Sequence, residues 1–125
     1  MLKELKKGQI EIANSKLIAV DNKYPHRDYE VSITLPEFTC LCPITGYPDF
    51  GIIEVKYIPD KLLLELKSVK LYINKFRDEF HFHEEIVNRI LEDLVACCQP
   101  RWMEVLGDFN PRGNVKTVVR AEHKK

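Results

Sequence analysis

An α+β fold, one antiparallel sheet with helices packed on one of its faces, is what this 125-residue sequence predicts. Three observations lead there. Alternating apolar and polar residues mark strands early in the chain and again near its end. A long apolar stripe with helical period lies between them. The resulting order (strand, strand, helix, helix, strand, strand) belongs to antiparallel sheets whose helices are gathered on one side.

Residues 1–125 are expected to form a single domain, since the chain is long enough for one good core and too short for two. Residues 1–9 read as a charged tail, with 1–20 as a loosely held N-terminal segment, and residues 21–28 (DNKYPHRD) as a loop. From Tyr29 the pattern alternates: Tyr29, Val31, Ile33 and Leu35 share one face, and Glu30, Ser32 and Thr34 share the other. That is a half-buried strand, expected to end at Pro36. A second strand runs from about Gly51 to Ile58, with Ile53, Val55 and Tyr57 opposed to Glu54 and Lys56. The Pro- and Gly-rich CLCPITGYPDF between them reads as a loop.

Pro59-Asp60 breaks the second strand, and a helix from about Ser68 to Phe76 buries Val69, Tyr72, Ile73 and Phe76. The long stripe comes next: Ile86, Val87, Ile90, Leu91, Leu94, Val95 and Cys98, stopped by Pro100. Two closing strands, about Trp102–Phe109 and Val115–Ala121, are joined by Asn110-Pro111-Arg112-Gly113-Asn114.

Nineteen basic and nineteen acidic residues leave no net charge, which removes the usual electrostatic case for nucleic-acid or membrane binding. No apolar run reaches the length of a spanning helix, and the N-terminus lacks the apolar core of a secretory signal. Cysteines occur as Cys40/Cys42 and Cys97/Cys98. Neither spacing is that of a disulfide framework or a C-x-x-C site, so free thiols in a reducing cytoplasm are expected.

Three segments carry candidate chemistry. In the first, Cys42 is a nucleophile and Asp49, seven residues on, is its acid partner, with Pro43 and Pro48 stiffening the loop between them. The alternative is a turn whose cysteines merely pack. In the second, Lys67 and Lys70 share a helix face near an N-terminus, where two cations and free backbone N–H groups suit phosphates; the alternative is a solvated lysine face. In the third, Glu84 follows His81-Phe82-His83 ahead of the long helix, and its carboxylate suits two N–H donors of a guanine-like edge. Here the alternatives are an acid-rich helix start favoured by the macrodipole, or a metal site built on H-x-H.

Together these segments resemble the short 7-cyano-7-deazaguanine reductases of queuosine biosynthesis. That family carries Cys-Pro-x-Thr-Gly-x-Pro-Asp-Phe, matched by Cys42 to Phe50, and a Glu-(Ser/Leu)-Lys-(Ser/Ala)-x-Lys-Leu-(Tyr/Phe) cofactor signature, matched by Glu65 to Tyr72. It also has Phe-His-Glu (Phe82 to Glu84) and a late Pro-Arg-Gly (Pro111 to Gly113). The resemblance runs from about Tyr29 to Arg120, with all four motifs in order; Cys40 stands where the family usually has a small residue.

The resemblance implies a tunnelling fold, ββααββ with a four-stranded antiparallel sheet and two helices on one face, and NADPH-dependent reduction of a nitrile to a primary amine. It implies that Cys42 forms a covalent thioimide with Asp49 as proton donor. Leu64, Glu65, Leu66, His83 and Glu84 would line the deazaguanine site, and Lys67, Lys70 and Arg112 would meet the cofactor phosphates. No metal is expected in the site, and the partners implied are a small deazaguanine and further copies of the chain in stacked rings, with neither nucleic acid nor membrane. Among five glycines there is no G-x-G-x-x-G, so nothing outside the resemblance points to NADPH. Two other readings are a zinc-dependent pterin synthase-like enzyme using His81 and His83 with His26 or His123, and a non-catalytic purine-binding module.

Overall fold

The protein, described here by a computed structural model over residues 4–125, places β2 (Val31–Leu41), β3 (Pro48–Ile58), β5 (Trp102–Phe109) and β6 (Val118–Lys124) in one antiparallel sheet of order β2-β3-β5-β6. A second sheet of two short strands pairs β1 (Ala19–Asp21) with β4 (Leu62–Leu64). Helices α2 (Leu66–Asn74) and α3 (His83–Cys98) pack on one face of the large sheet, and α2 tightens into a 3₁₀ turn over Lys75–Asp78. The expected α+β class, a four-stranded antiparallel sheet with two helices on one face, is the one observed; the two-stranded sheet is an addition to it.

The core is a single apolar cluster between sheet and helices. From α3 it takes Ile86, Val87, Ile90, Leu91, Leu94 and Cys98. Burying six such positions is worth on the order of 10 kcal/mol before entropy is counted, far more than helix propensity supplies. Helix α3 ends where Gln99 turns left-handed (φ 45°) ahead of Pro100. From α2 and its 3₁₀ turn come Val69, Tyr72, Ile73 and Phe76, the four residues expected there.

Strand β2 departs from expectation at Pro36. The strand does not end there. Leu35 pairs with Ile53 and Phe38 with Gly51, so Pro36 and Glu37 together oppose Ile52 alone in a β-bulge. Proline lacks the N–H that a regular ladder requires, and a bulge tolerates that loss. The extra residue flips the phase of the strand. Before the bulge Val31, Ile33 and Leu35 face the core; after it Phe38 and Cys40 do, with Cys42 buried just beyond the strand. An uninterrupted strand would have turned both cysteines to the side of Ser32 and Thr34.

Other boundaries also shift. Strand β3 begins at Pro48, so the loop shrinks to a tight hairpin connection. Strand β6 starts at Val118, and Val115 belongs instead to the preceding turn, bridged to Arg112. Residues Lys7–Asn14 form a helix, α1, none of whose residues is buried. Its residues show no strong apolar face, which is why periodicity passed over it. Residues 1–3 of the charged tail lie outside the described residues. Strands β1 and β4, three residues each, are too short to carry a readable alternation.

Candidate active site

The β2–β3 hairpin carries Cys42 and Asp49 to one place. Cys40 pairs with Asp49 across the strands and Leu41 with Pro48, which leaves Cys42 at the mouth of the connecting turn. The turn is closed by Cys42 N–H donating to the Tyr47 carbonyl (2.9 Å) and Gly46 N–H donating to the Cys42 carbonyl (2.9 Å). Gly46 holds φ +74°, a left-handed conformation that a side chain would oppose. Cys42 and Asp49 are each only 7% exposed.

A third residue arrives from far along the chain. Arg112 sits in the β5–β6 connection, where Gly113 (φ 58°) and Asn114 (φ 70°) make a tight turn and backbone hydrogen bonds tie Arg112 to Val115. Asn110 N–H donates to the Phe50 carbonyl (2.8 Å) and docks this turn beside β3. The Arg112 guanidinium then divides itself, with Nη1 on Asp49 Oδ1 and Nη2 3.3 Å from Cys42 Sγ. His83, the first residue of α3, brings Nε2 to 3.3 Å from the other oxygen, Asp49 Oδ2. Its ring lies flat on Phe109, with 3.9 Å between centroids and 6° between planes.

This arrangement sorts the two thiols of the hairpin. The Arg112 guanidinium beside Cys42, then the Thr45 hydroxyl and the Thr45 and Ile44 backbone N–H groups, pull its thiol down from 9.0 to about 6. Burial, and after it the Asp49 charge, push the Cys40 thiol up to about 12. At neutral pH Cys42 is therefore mainly a thiolate, the nucleophilic form, while Cys40 is an inert core residue. Thr45 was visible in the sequence as part of the loop, but no spacing rule marks it as a thiolate donor.

The other expected residues are distributed elsewhere. Glu84 stands exposed in the first turn of α3, one residue from His83. Glu65 is the N-cap of α2: its carboxylate accepts the N–H groups of Lys67 (2.8 Å) and Ser68 (2.7 Å), which holds it below the usual carboxylate range. The α2 N-terminus is thus already capped, and its N–H groups are not free for phosphate as the sequence suggested. Leu64 is buried in the core, whereas Leu66 is exposed. Lys67 and Lys70 are exposed on α2, Lys67 lining a groove beside α1 and Lys70 a groove beside the β2 bulge. Residues 64–66 belong to β4 and the start of α2, and β4 pairs only with β1. The two histidines of the zinc reading direct their rings at different carboxylates. Among the described residues no three His, Cys, Asp or Glu side chains converge as metal ligands.

A thiol held between a guanidinium and a loop of N–H groups, next to a buried carboxylate–imidazole pair, is an arrangement suited to nucleophilic cysteine chemistry on an antiparallel α+β scaffold. Residues 48–125 match the model of the QueF-like protein family, and the chain belongs to that family. It is 55% identical, over 98% of its length and 93% of the relative's, to the NADPH-dependent 7-cyano-7-deazaguanine reductase of Microcystis aeruginosa. It is 56% identical to the enzyme of that name from Aquifex aeolicus, over 94% of this chain and 92% of that one. The crystal structure of the archaeosine synthase QueF-Like in the apo form superposes with a TM-score of 0.70 at 26% identity, covering 74% of this chain and 91% of that one.

Proposed function

We propose that this chain is an NADPH-dependent 7-cyano-7-deazaguanine reductase of queuosine biosynthesis, acting in the cytoplasm on a free deazaguanine. Family membership and the names of relatives more than half identical over nearly the whole chain support the reaction class. The observation that carries the mechanism is the Arg112 guanidinium bridging Cys42 Sγ and Asp49 Oδ1 in a buried hairpin.

In this reading the Cys42 thiolate adds to the nitrile carbon. A C–S bond forms as one π bond of the C≡N group opens, and the negative charge moves to nitrogen. In this reading Asp49, ionised beside Arg112 in the resting site, takes a proton from His83 across the 3.3 Å contact and passes it to that nitrogen. The product of this half-reaction is a thioimide on Cys42. Two molecules of NADPH, each supplying one hydride when bound, would provide the four electrons that separate a nitrile from an amine. Cys42 is a competent leaving group as well as a nucleophile, because Arg112 and the loop N–H groups stabilise the departing thiolate. Glu84 would hold the guanine-like edge through two N–H donors, with His83 beside it.

Lys67 and Lys70 suit the anionic phosphates of the cofactor, since both are exposed on one helix. Arg112 suits them less directly, because its guanidinium is shared between Cys42 and Asp49. Leu64, Glu65 and Leu66 lie at the end of β4 and the start of α2, and β4 belongs to the two-stranded sheet, not to the sheet whose hairpin carries Cys42. We therefore read the working enzyme as a homo-oligomer of stacked rings, in which a second copy completes the site.

The test is direct. Enzyme mixed with 7-cyano-7-deazaguanine, without NADPH, is expected to gain the mass of one substrate on intact-mass spectrometry, and Cys42→Ala is expected to gain none. An adduct surviving in that variant, or mapped to Cys40, removes Cys42 as the nucleophile.

A further inference from the structure

His81 is one of four buried polar or charged residues among the described residues and takes no part in the chemistry above. It is 9% exposed, yet both of its ring nitrogens face carboxylates: Nε2 lies 2.8 Å from Glu79 Oε1, and Nδ1 lies 2.9 Å from Glu85 Oε1. The edge of its ring meets Phe76 from the 3₁₀ turn, with centroids 5.7 Å apart. Its backbone N–H donates to the Leu41 carbonyl (3.0 Å), while Leu41 N–H donates to the Glu79 carbonyl (2.9 Å). Among the described residues, the charged groups acting on the ring are those two carboxylates.

Two ionised carboxylates on the two nitrogens of one imidazole require both nitrogens to carry hydrogen. A neutral ring has one N–H and one lone pair, so one carboxylate would be left facing a lone pair. The segment held this way matters to the site. Leu41 precedes Cys42, and Glu85 stands in the first turn of α3, two residues after the His83 that meets Asp49.

We propose that His81 is a positioning residue of the catalytic site: as a doubly donating imidazolium it is a clamp that ties Glu79, whose backbone pairs with Leu41 at the end of β2, to Glu85 in the first turn of α3, sets where His83 meets Asp49, and gives up one of the two ties on losing its proton. The proposal rests on the nitrile-reductase reading for its effect on turnover, but not for the existence of the clamp. Burial opposes the charge on His81, but the hydrogen bonds to Glu79 and Glu85 outweigh it and raise its pKa above the ordinary 6.5. A raised folded-state value means that the clamp's stabilisation is complete below about 6.5 and is lost as pH rises through the folded pKa. The Cys42 thiolate forms on the acid side, near pH 6. Activity is then bounded below by Cys42 and above by His81, a bell whose two limbs belong to different residues.

The test uses two variants with opposite expectations, read by the pH dependence of kcat for NADPH oxidation and by an NMR titration of the His81 ring. In the wild type the alkaline limb is expected to share its midpoint with the His81 titration, above pH 6.5. In the double variant Glu79→Gln/Glu85→Gln a neutral imidazole donates to one amide and accepts from the other. That clamp no longer titrates, so the alkaline limb leaves the His81 midpoint and is set instead by the proton that Asp49 and His83 supply, while the peak kcat changes little. His81→Ala removes both contacts and should lower peak kcat by roughly 10- to 100-fold through misplacement of His83. A double-glutamine variant that keeps the wild-type limb overturns the proposal, as does a His81 titration at or below 6.5. If His81→Ala does not fold, those two measurements still decide. If the wild type oxidises no NADPH with the nitrile, the reductase reading fails; the clamp is then judged by whether the wild type loses more Tm between pH 6 and 9 than the double variant.

Discussion

Two places in this chain hold a pair of closely spaced cysteines, the β2–β3 hairpin with Cys40 and Cys42 and the last turn of α3 with Cys97 and Cys98. All four thiols are free, and three of them, Cys40, Cys42 and Cys98, are buried. Burial pushes Cys98 up to about 12 and raises Cys97 as well, and it does the same to Cys40. Cys42 alone moves the other way, to about 6. Removing a thiol from water disfavours its anion wherever it happens. At Cys42 a guanidinium and three hydrogen-bond donors of the turn outweigh that penalty, whereas the end of α3 presents carbonyls and the negative pole of the helix. The reactivity of this protein's cysteines is thus decided by two things together, the donors around each sulfur and its removal from water: burial is the leading influence at Cys40, Cys97 and Cys98 and the smallest at Cys42.

The sharpest way to break the comparison is at the acid beside the reactive thiol. Asp49→Asn is expected to leave the fold intact and slow turnover by about 10²–10⁴-fold, since an amide cannot deliver the proton. Steady-state NADPH oxidation reads this directly, and near-normal turnover would make Asp49 a structural hairpin residue.

Arg112→Gln acts next. It removes the largest of the influences that lower Cys42, so the thiol should return toward its ordinary 9.0. Iodoacetamide labelling of the wild type should rise with pH through a midpoint near 6. The variant's midpoint should move up, with labelling at pH 7 slower by roughly tenfold as the thiolate fraction falls. An unmoved midpoint would assign the lowering to Thr45 and the turn N–H groups.

The smallest effect is expected at the other pair. Cys98→Ala deletes a buried sulfur and should cost about 1–2 kcal/mol of stability, by analogy with small core truncations. Chemical denaturation measures that loss, while labelling and turnover at Cys42 stay as in the wild type. A change in turnover would show that the α3 thiols are not a separate region after all.

What the sequence by itself determined rests on short-range regularities. The α3 stripe, the four buried positions of α2 and its 3₁₀ turn, the antiparallel α+β class and the Cys42–Asp49 loop all lie within a few turns or strand pairs of chain, where period and spacing are legible. Tertiary structure decided the rest. A single bulge at Pro36–Glu37 reverses which residues of β2 face the core, and alternation read along the strand cannot foresee a phase change. Arg112 reaches Cys42 from 70 residues away and Asp49 from 63, so its place on the thiolate rather than beside Lys67 and Lys70 depends on how the β5–β6 turn docks against β3. Glu65 spends its carboxylate on the α2 cap, and His81 meets Glu79 and Glu85, all partners within four residues of chain that no hydrophobic period marks. Residue type and spacing marked which side chains could carry chemistry. Which charges Cys42 and Asp49 meet was settled by Arg112 and His83 arriving from segments distant in the chain, because electrostatic partners are chosen by proximity in space.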